Sequence, residues 1–142
     1  MNNGKRRFEI TDHTADIAIK VYGNTLKELF ENAALGMFTI IADLEGIKSS
    51  AEIEVKLEAP DEEELLIEWL EELLYNFYTK NIIFSEFNIG ELTGKNLTAK
   101  VKGRFIGENR NRLKAEIKAA TRHELKIIKN GERYEAQVIF DV

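Results

Sequence analysis

The spacing of apolar residues along this chain changes period several times, and each change marks an element. From Asp16 onward Ile17, Ile19 and Val21 alternate with Ala18, Lys20 and Tyr22, the twofold period of a strand. Gly23-Asn24-Thr25 then breaks the pattern. Thr25 and Glu28 fit a capping box, and Leu26, Leu29, Phe30, Ala33, Met37 and Ile40 follow at helical spacing. Asp43 to Ser50 reads as a loop. Ile53, Val55 and Leu57 alternate with Glu52, Glu54, Lys56 and Glu58, which predicts a strand with one wet face. Pro60-Asp61-Glu62-Glu63-Glu64 opens a second helix, its carboxylates set against the positive end of the helix dipole. Leu65, Leu66, Trp69, Leu73, Leu74 and Phe77 give that helix a wide apolar face.

The second half reads as sheet. Ile82 to Leu92 is an apolar strand region ended by Thr93-Gly94-Lys95-Asn96, and Leu97, Ala99 and Val101 alternate with Thr98, Lys100 and Lys102. Gly107 to Arg112 reads as a polar loop. Leu113, Ala115, Ile117 and Ala119 alternate with Lys114, Glu116 and Lys118, which predicts a further strand. Asn130-Gly131 between alternating runs predicts a type I′ hairpin. This order predicts an α+β fold: two amphipathic helices packed on a mostly antiparallel or mixed β-sheet, with strands concentrated in the second half. Residues 1–7 read as a loose leader, and residues 1–142 as one domain.

With 142 residues, 44% hydrophobic and 32% charged, the chain can bury a core without staples. The absence of cysteine excludes a disulfide framework, a thiolate nucleophile and a cysteine zinc site. No apolar run approaches the roughly 18–20 residues of a membrane span, and no secretory h-region follows Met1, so the expectation is a cytoplasmic protein with no membrane contact. The net charge of −5 conceals an asymmetry. Residues 1–71 carry 7 Lys/Arg against 16 Asp/Glu, whereas 72–142 carry 13 against 9. Between Lys95 and Arg133 there are 12 basic and 4 acidic residues. That stretch reads either as solvated strand faces or as a docking face for an acidic partner, or for RNA held by one. Because the whole chain is acidic, any RNA contact is expected to be indirect or weak.

Candidate chemistry gathers near the two ends. Asp12, His13 and Asp16 sit where a loop enters a strand; if extended, Asp12 and Asp16 would stand about 13 Å apart, so one ion joins them only if the chain turns. The alternative is an Asx-type turn and cap, with His13 a structural histidine. In Val138-Ile139-Phe140-Asp141-Val142 an apolar run ends in a carboxylate, costly to desolvate unless a cation or donors satisfy it. Asp12, Asp141 and the main chain or terminal carboxylate of Val142 are therefore expected to form an oxygen-rich site. Such oxygens suit calcium, magnesium or manganese better than zinc. His13 and His123 have no paired metal-binding spacing, and neither a G-x-S-x-G elbow nor a phosphate-binding glycine loop is present. Glu63/Glu64 and Glu71/Glu72 read as solvated helix faces. Lys118 is expected to share a strand face with Lys114 and Glu116, either as a surface ion pair or as a cation presented to a partner or phosphate.

Asp12-His13-Thr14-Ala15-Asp16, Tyr22-Gly23 before a Leu-rich helix, Glu116-Ile117-Lys118-Ala119, Thr121 to His123 and the closing Gln137 to Val142 together resemble the archease family, in the same order over about residues 8–142. The resemblance implies a small α+β accessory factor rather than an independent enzyme. Its expected partner is the GTP-dependent tRNA-splicing RNA ligase, whose guanylylation and turnover it would assist. A chaperone-like role toward a tRNA methyltransferase is also associated with the family. The resemblance further implies a bound divalent cation, usually calcium, at Asp12, Asp141 and Val142. It associates Lys118 with ligase activation, and Asp16 and His13 are further ligase-activating candidates. Arg122 stands where the family usually has an aromatic residue, and Arg110-Asn111-Arg112 where many members carry a histidine, which leaves His123 without an assigned role. The rival readings are a stand-alone metal-dependent hydrolase using Asp12, Asp16 and His13, and a structural dimerisation domain.

Overall fold

The computed structural model describes residues 6–13 and 16–142, with the side chains of residues 12 and 13 outside that description. Strands β1 (Phe8–His13) and β2 (Asp16–Gly23) lead into helix α1 (Leu26–Ile41), strand β3 (Ala51–Glu58) and helix α2 (Glu62–Lys80). Strands β4 (Ile82–Leu92) and β5 (Asn96–Phe105), a short 3₁₀ helix at Gly107–Arg112, and strands β6 (Ala119–Thr121), β7 (Ile128–Asn130) and β8 (Arg133–Asp141) complete the described chain. The fold is α+β, and every strand pairing is antiparallel. Among the described residues, no helix is long and apolar enough to cross a membrane.

The strands form two sheets. One runs β1-β2-β8-β6, with β7 also pairing with β8; the other runs β3-β5-β4. Helix α1 lies between them. A Cβ on Gly36 would press on Phe8 and Ile19 of the first sheet, while Phe38, on the opposite side of the helix, packs its ring 5.6 Å from Phe84 and 5.8 Å from Phe87 of β4. Helix α2 is tied to α1 by the Trp69 indole N–H, which donates to the Phe30 carbonyl at 2.9 Å.

Local chemistry explains the helix limits. The Glu28 amide donates to Thr25 Oγ1, one half of the capping box, while the Glu28 carboxylate reaches one residue further back and accepts from the Asn24 amide instead of that of the cap residue. Asp61 caps α2, and Asn81 ends it in the left-handed conformation (φ 57°). In β3 the outward Glu52 and Glu54 stand opposite Lys102 and Lys100 of β5, while Val55 is buried.

Four expectations need correction. Asp12 and His13 are backbone members of β1 and not of a loop, because they pair with Ile17 and Asp16. Gly107–Arg112 winds into a 3₁₀ helix. In the β7–β8 hairpin Asn130 pairs with Arg133, so the loop is Gly131-Glu132; only Gly131 of the two has positive φ, the type II′ pattern and not I′. Of the alternating run from Leu113, only Ala119–Thr121 pairs as strand. The preceding residues send their polar groups elsewhere: the Lys114 amide donates to the Ile41 carbonyl, and the Ile117 carbonyl accepts from Tyr78. Lys118 therefore does not share a regular strand face with Lys114 and Glu116.

Candidate functional site

The sheet order brings the beginning and the end of the chain to one margin. Since β2 pairs with both β1 and β8, Asp12, Ile17, Phe140 and Ala120 form one register row across four strands. The next row holds His13, Asp16, Asp141 and Ala119, its Asp16–Asp141 position following one step beyond the Ile17–Phe140 pair. Asp12 and Asp141 are thus two strand spacings and one row apart, a backbone separation of about 10 Å. Residues 14 and 15, and the side chains of Asp12 and His13, lie outside the described residues.

Asp16, and not Asp12, shares the row of Asp141. Asp16 is half-buried and Asp141 exposed. The desolvation cost expected for Asp141 therefore does not arise, because the strand ends at the surface and the carboxylate stays in water. The donors at hand are carboxylate and main-chain oxygens, which is the chemistry a hard divalent cation takes. Among the described residues no cluster of three His, Asp or Glu side chains has metal-binding geometry. Val142 is exposed at the end of the chain.

Lys118 joins this margin through its backbone. Its amide donates to the Asp141 carbonyl at 2.7 Å, and its side chain is exposed. What holds Lys118 there is α2. Glu64, Glu71 and Tyr78 recur every seven residues, two helical turns, and so line one face. Glu64 takes a two-pronged ion pair from Arg122, Glu71 accepts the Ala120 amide at 2.7 Å, and the Tyr78 hydroxyl donates to the Ile117 carbonyl at 2.8 Å. Glu63 adds a fourth clasp by accepting the Ile127 amide at 3.0 Å. Periodicity alone marked Glu63, Glu64 and Glu71 as solvated. Their true role was hidden because their partners are backbone groups and an arginine some fifty to sixty residues away.

The electrostatics follow from these contacts. Hydrogen bonding to Arg122 holds the Glu64 carboxyl below its ordinary value, and Glu64 in turn raises the Arg122 guanidinium. Burial, followed by the charge of Glu116, pushes the Tyr78 hydroxyl up. Arg122 thus has a structural occupation. His123 beside it is exposed, with Nε2 3.7 Å from the Glu124 carboxylate.

Comparison with known proteins bears on the whole chain. Residues 8–142 match the model of the Archease protein family (MTH1598/TM1083). Proteins named archease from Methanosarcina acetivorans and Archaeoglobus fulgidus are 40% and 39% identical, each aligned over 96% of this chain and over 97% and 99% of their own lengths. The solution structure of protein 1598 from Methanobacterium thermoautotrophicum superposes with a TM-score of 0.83 at 36% identity, covering 95% of this chain and 98% of that one. The crystal structure of a Thermotoga maritima protein, described as an archease and possible chaperone, shares the fold with a TM-score of 0.63 at 22% identity, covering 94% of this chain and 96% of its own.

Proposed function

The chain belongs to the archease family, and from that premise we propose that it is a metal-binding accessory protein that activates a tRNA-splicing RNA ligase by promoting its guanylylation and multiple turnover. The observation that carries this reading is the convergence of the β1–β2 hairpin end, the end of β8 and Lys118 on one sheet margin. Asp12, Asp141 and Val142 would hold a divalent cation, calcium first, with magnesium or manganese also suited to oxygen donors. Bound there, the ion would neutralise the clustered carboxylates and tie the hairpin to the last strand. Lys118, Asp16 and His13 would then form the rest of the surface offered to the ligase. The chain's own part is to present these groups in fixed register, and the clasps along α2 set where Lys118 stands.

A guanylylation assay with the purified ligase tests this. Asp141→Ala and Asp12→Ala proteins should lose stimulation, as should Lys118→Ala. Stimulation equal to the parent by both aspartate variants would sink the metal-site mechanism. A second reading, a chaperone-like partner of a tRNA methyltransferase, draws support from the description of the Thermotoga maritima relative as a possible chaperone and from exposed Tyr75, Phe105 and Ile128 on this chain. In that case the aspartate variants would still suppress aggregation of the methyltransferase.

A further inference from the structure

Two sheet edges in this fold are guarded by carboxylates from the helices. Glu71 of α2 accepts the Ala120 amide of β6, and Glu31 of α1 accepts the Ile89 amide of β4 at 2.9 Å. The edge of β3 has no such guard. The Ala59 amide donates to the Lys95 carbonyl, one step beyond the Glu58–Asn96 pair, so Leu57, Val55 and Ile53 continue the hydrogen-bonded ladder with β5. By alternation, the amides and carbonyls of Glu52, Glu54, Lys56 and Glu58 point away from β5. Among the described residues these groups have no hydrogen-bond partner, and all of these residues are exposed. The register with β5 runs unbroken from Ala51 to Glu58. On the inner face Val55 is buried, but Ile53 and Leu57 to either side of it are only partly covered. A regular edge with open donors and acceptors on alternate residues is a template for a further strand.

Charge selects the occupant. Across the outer face of this sheet the sign alternates from strand to strand: Glu86 of β4 stands opposite Lys102 of β5, which stands opposite Glu52. Lys100 likewise stands opposite Glu54, so the next place in both rows takes a cation. Glu58 faces Asn96 and has no cation across from it, while Lys56 faces Thr98 and has no acid. An antiparallel strand reading basic, acidic, basic, basic at alternate positions matches every row, and apolar residues between them would cover Ile53 and Leu57. A second copy of β3 fits worse. In a two-fold pairing about its middle, either Glu54 meets Glu54 or Glu52 meets Glu58 at both ends. A nucleic acid strand would bring phosphates against the glutamates.

We propose that β3 is a docking edge on which an extended, basic segment of a partner protein adds as a strand of the β3-β5-β4 sheet. Its lysine or arginine side chains lie beside Glu52, Glu54 and Glu58, and its apolar side chains beside Ile53 and Leu57. This edge belongs to the other sheet from the Lys118–Asp141 margin, so it is a separate contact surface and does not rely on a bound metal.

The test needs neither ligase nor metal, so its failure is separable from failure of the activation reading. The probe is the synthetic peptide Lys-Val-Glu-Val-Lys-Val-Lys, titrated into the full-length ¹⁵N-labelled protein. The amide signals of Glu52, Glu54, Lys56 and Glu58 should shift and their hydrogen exchange should slow, while those of Lys118 and Asp141 stay in place. In the added strand the charged residues turn their amides toward β3 and the valines turn theirs away. N-methylation at the charged residues should therefore weaken binding about tenfold or more, and N-methylation at the valines should leave it within about twofold. Glu54→Lys protein, an exposed substitution, should bind about fivefold more weakly and recover with glutamate at the fifth peptide position. Absence of shifts at these amides at millimolar peptide would overturn the proposal. So would equal loss from the two methylation patterns, or equal binding of the charge-inverted peptide. Concentration-dependent shifts without peptide would also overturn it, by showing the edge occupied by a second copy.

Discussion

Replacing Glu71 by alanine isolates the clasp that seats Ala120, and with it the strap carrying Lys118. Glu71 accepts the Ala120 amide at 2.7 Å, and Ala120 is nearly fully buried. Alanine is the best helix former, so α2 itself loses nothing from the change. The truncation removes a hydrogen bond to a charged acceptor and leaves a buried donor unpaired, which together cost about 2 kcal/mol. Glu71→Gln keeps a carbonyl acceptor without the charge and should cost roughly half as much. At about 2.1 cal/mol/K per residue, a chain of this length has an unfolding entropy near 300 cal/mol/K, so Glu71→Ala should lower Tm by about 7 °C. Thermal unfolding followed by circular dichroism measures this, and amide exchange at Ala120 should accelerate well beyond that in β5. A Glu71→Ala protein melting within about 1–2 °C of the parent would refute the claim that this bond seats the strap.

Other outcomes follow from single contacts. The folded-state value of Glu64 is depressed by Arg122, so its contribution is present above the unfolded value near 4.5 and is lost as pH falls through the folded value. Urea unfolding from pH 7 downward should therefore show a shallower acid loss in Arg122→Ala than in the parent. A Cβ on Gly103 would run into the Ile83 carbonyl, so Gly103→Ala should cost at least about 2 kcal/mol in the same assay. Asp141→Ala removes an exposed side chain and should change intrinsic stability by less than about 0.5 kcal/mol. If calcium binds, a hundredfold excess over its Kd should stabilise the parent by about 2.7 kcal/mol and leave Asp141→Ala unmoved, read as the calcium-induced shift in Tm.

What could be read from the sequence is what local physics dictates. Thr25 with Glu28, and Asp61 after Pro60, mark helix starts because capping is settled within four residues. The wet face of β3 is legible because Glu52, Glu54, Lys56 and Glu58 alternate without interruption. The failures have a common cause in distant partners. The pattern from Leu113 looks like a strand, yet Ile41, Tyr78 and Glu71 take its hydrogen bonds, and nothing near it in sequence announces them. Likewise Asp141 was legible as a candidate from its apolar run, but the neighbourhood of Asp16 depends on β2 lying beside β8, which periodicity does not encode.

The position of β8 has a kinetic corollary. It is the seam of its sheet, with β2 along one edge and β6 and β7 along the other, so residue 17, already paired with residue 12, finds its second neighbour at residue 140. During synthesis the β3-β5-β4 layer and both helices can collapse while the β1–β2 hairpin still has a bare edge. Closing so long a loop is entropically slow. Any lengthening of that wait, by slow translation or a weakened β8, exposes an apolar ribbon to other nascent chains.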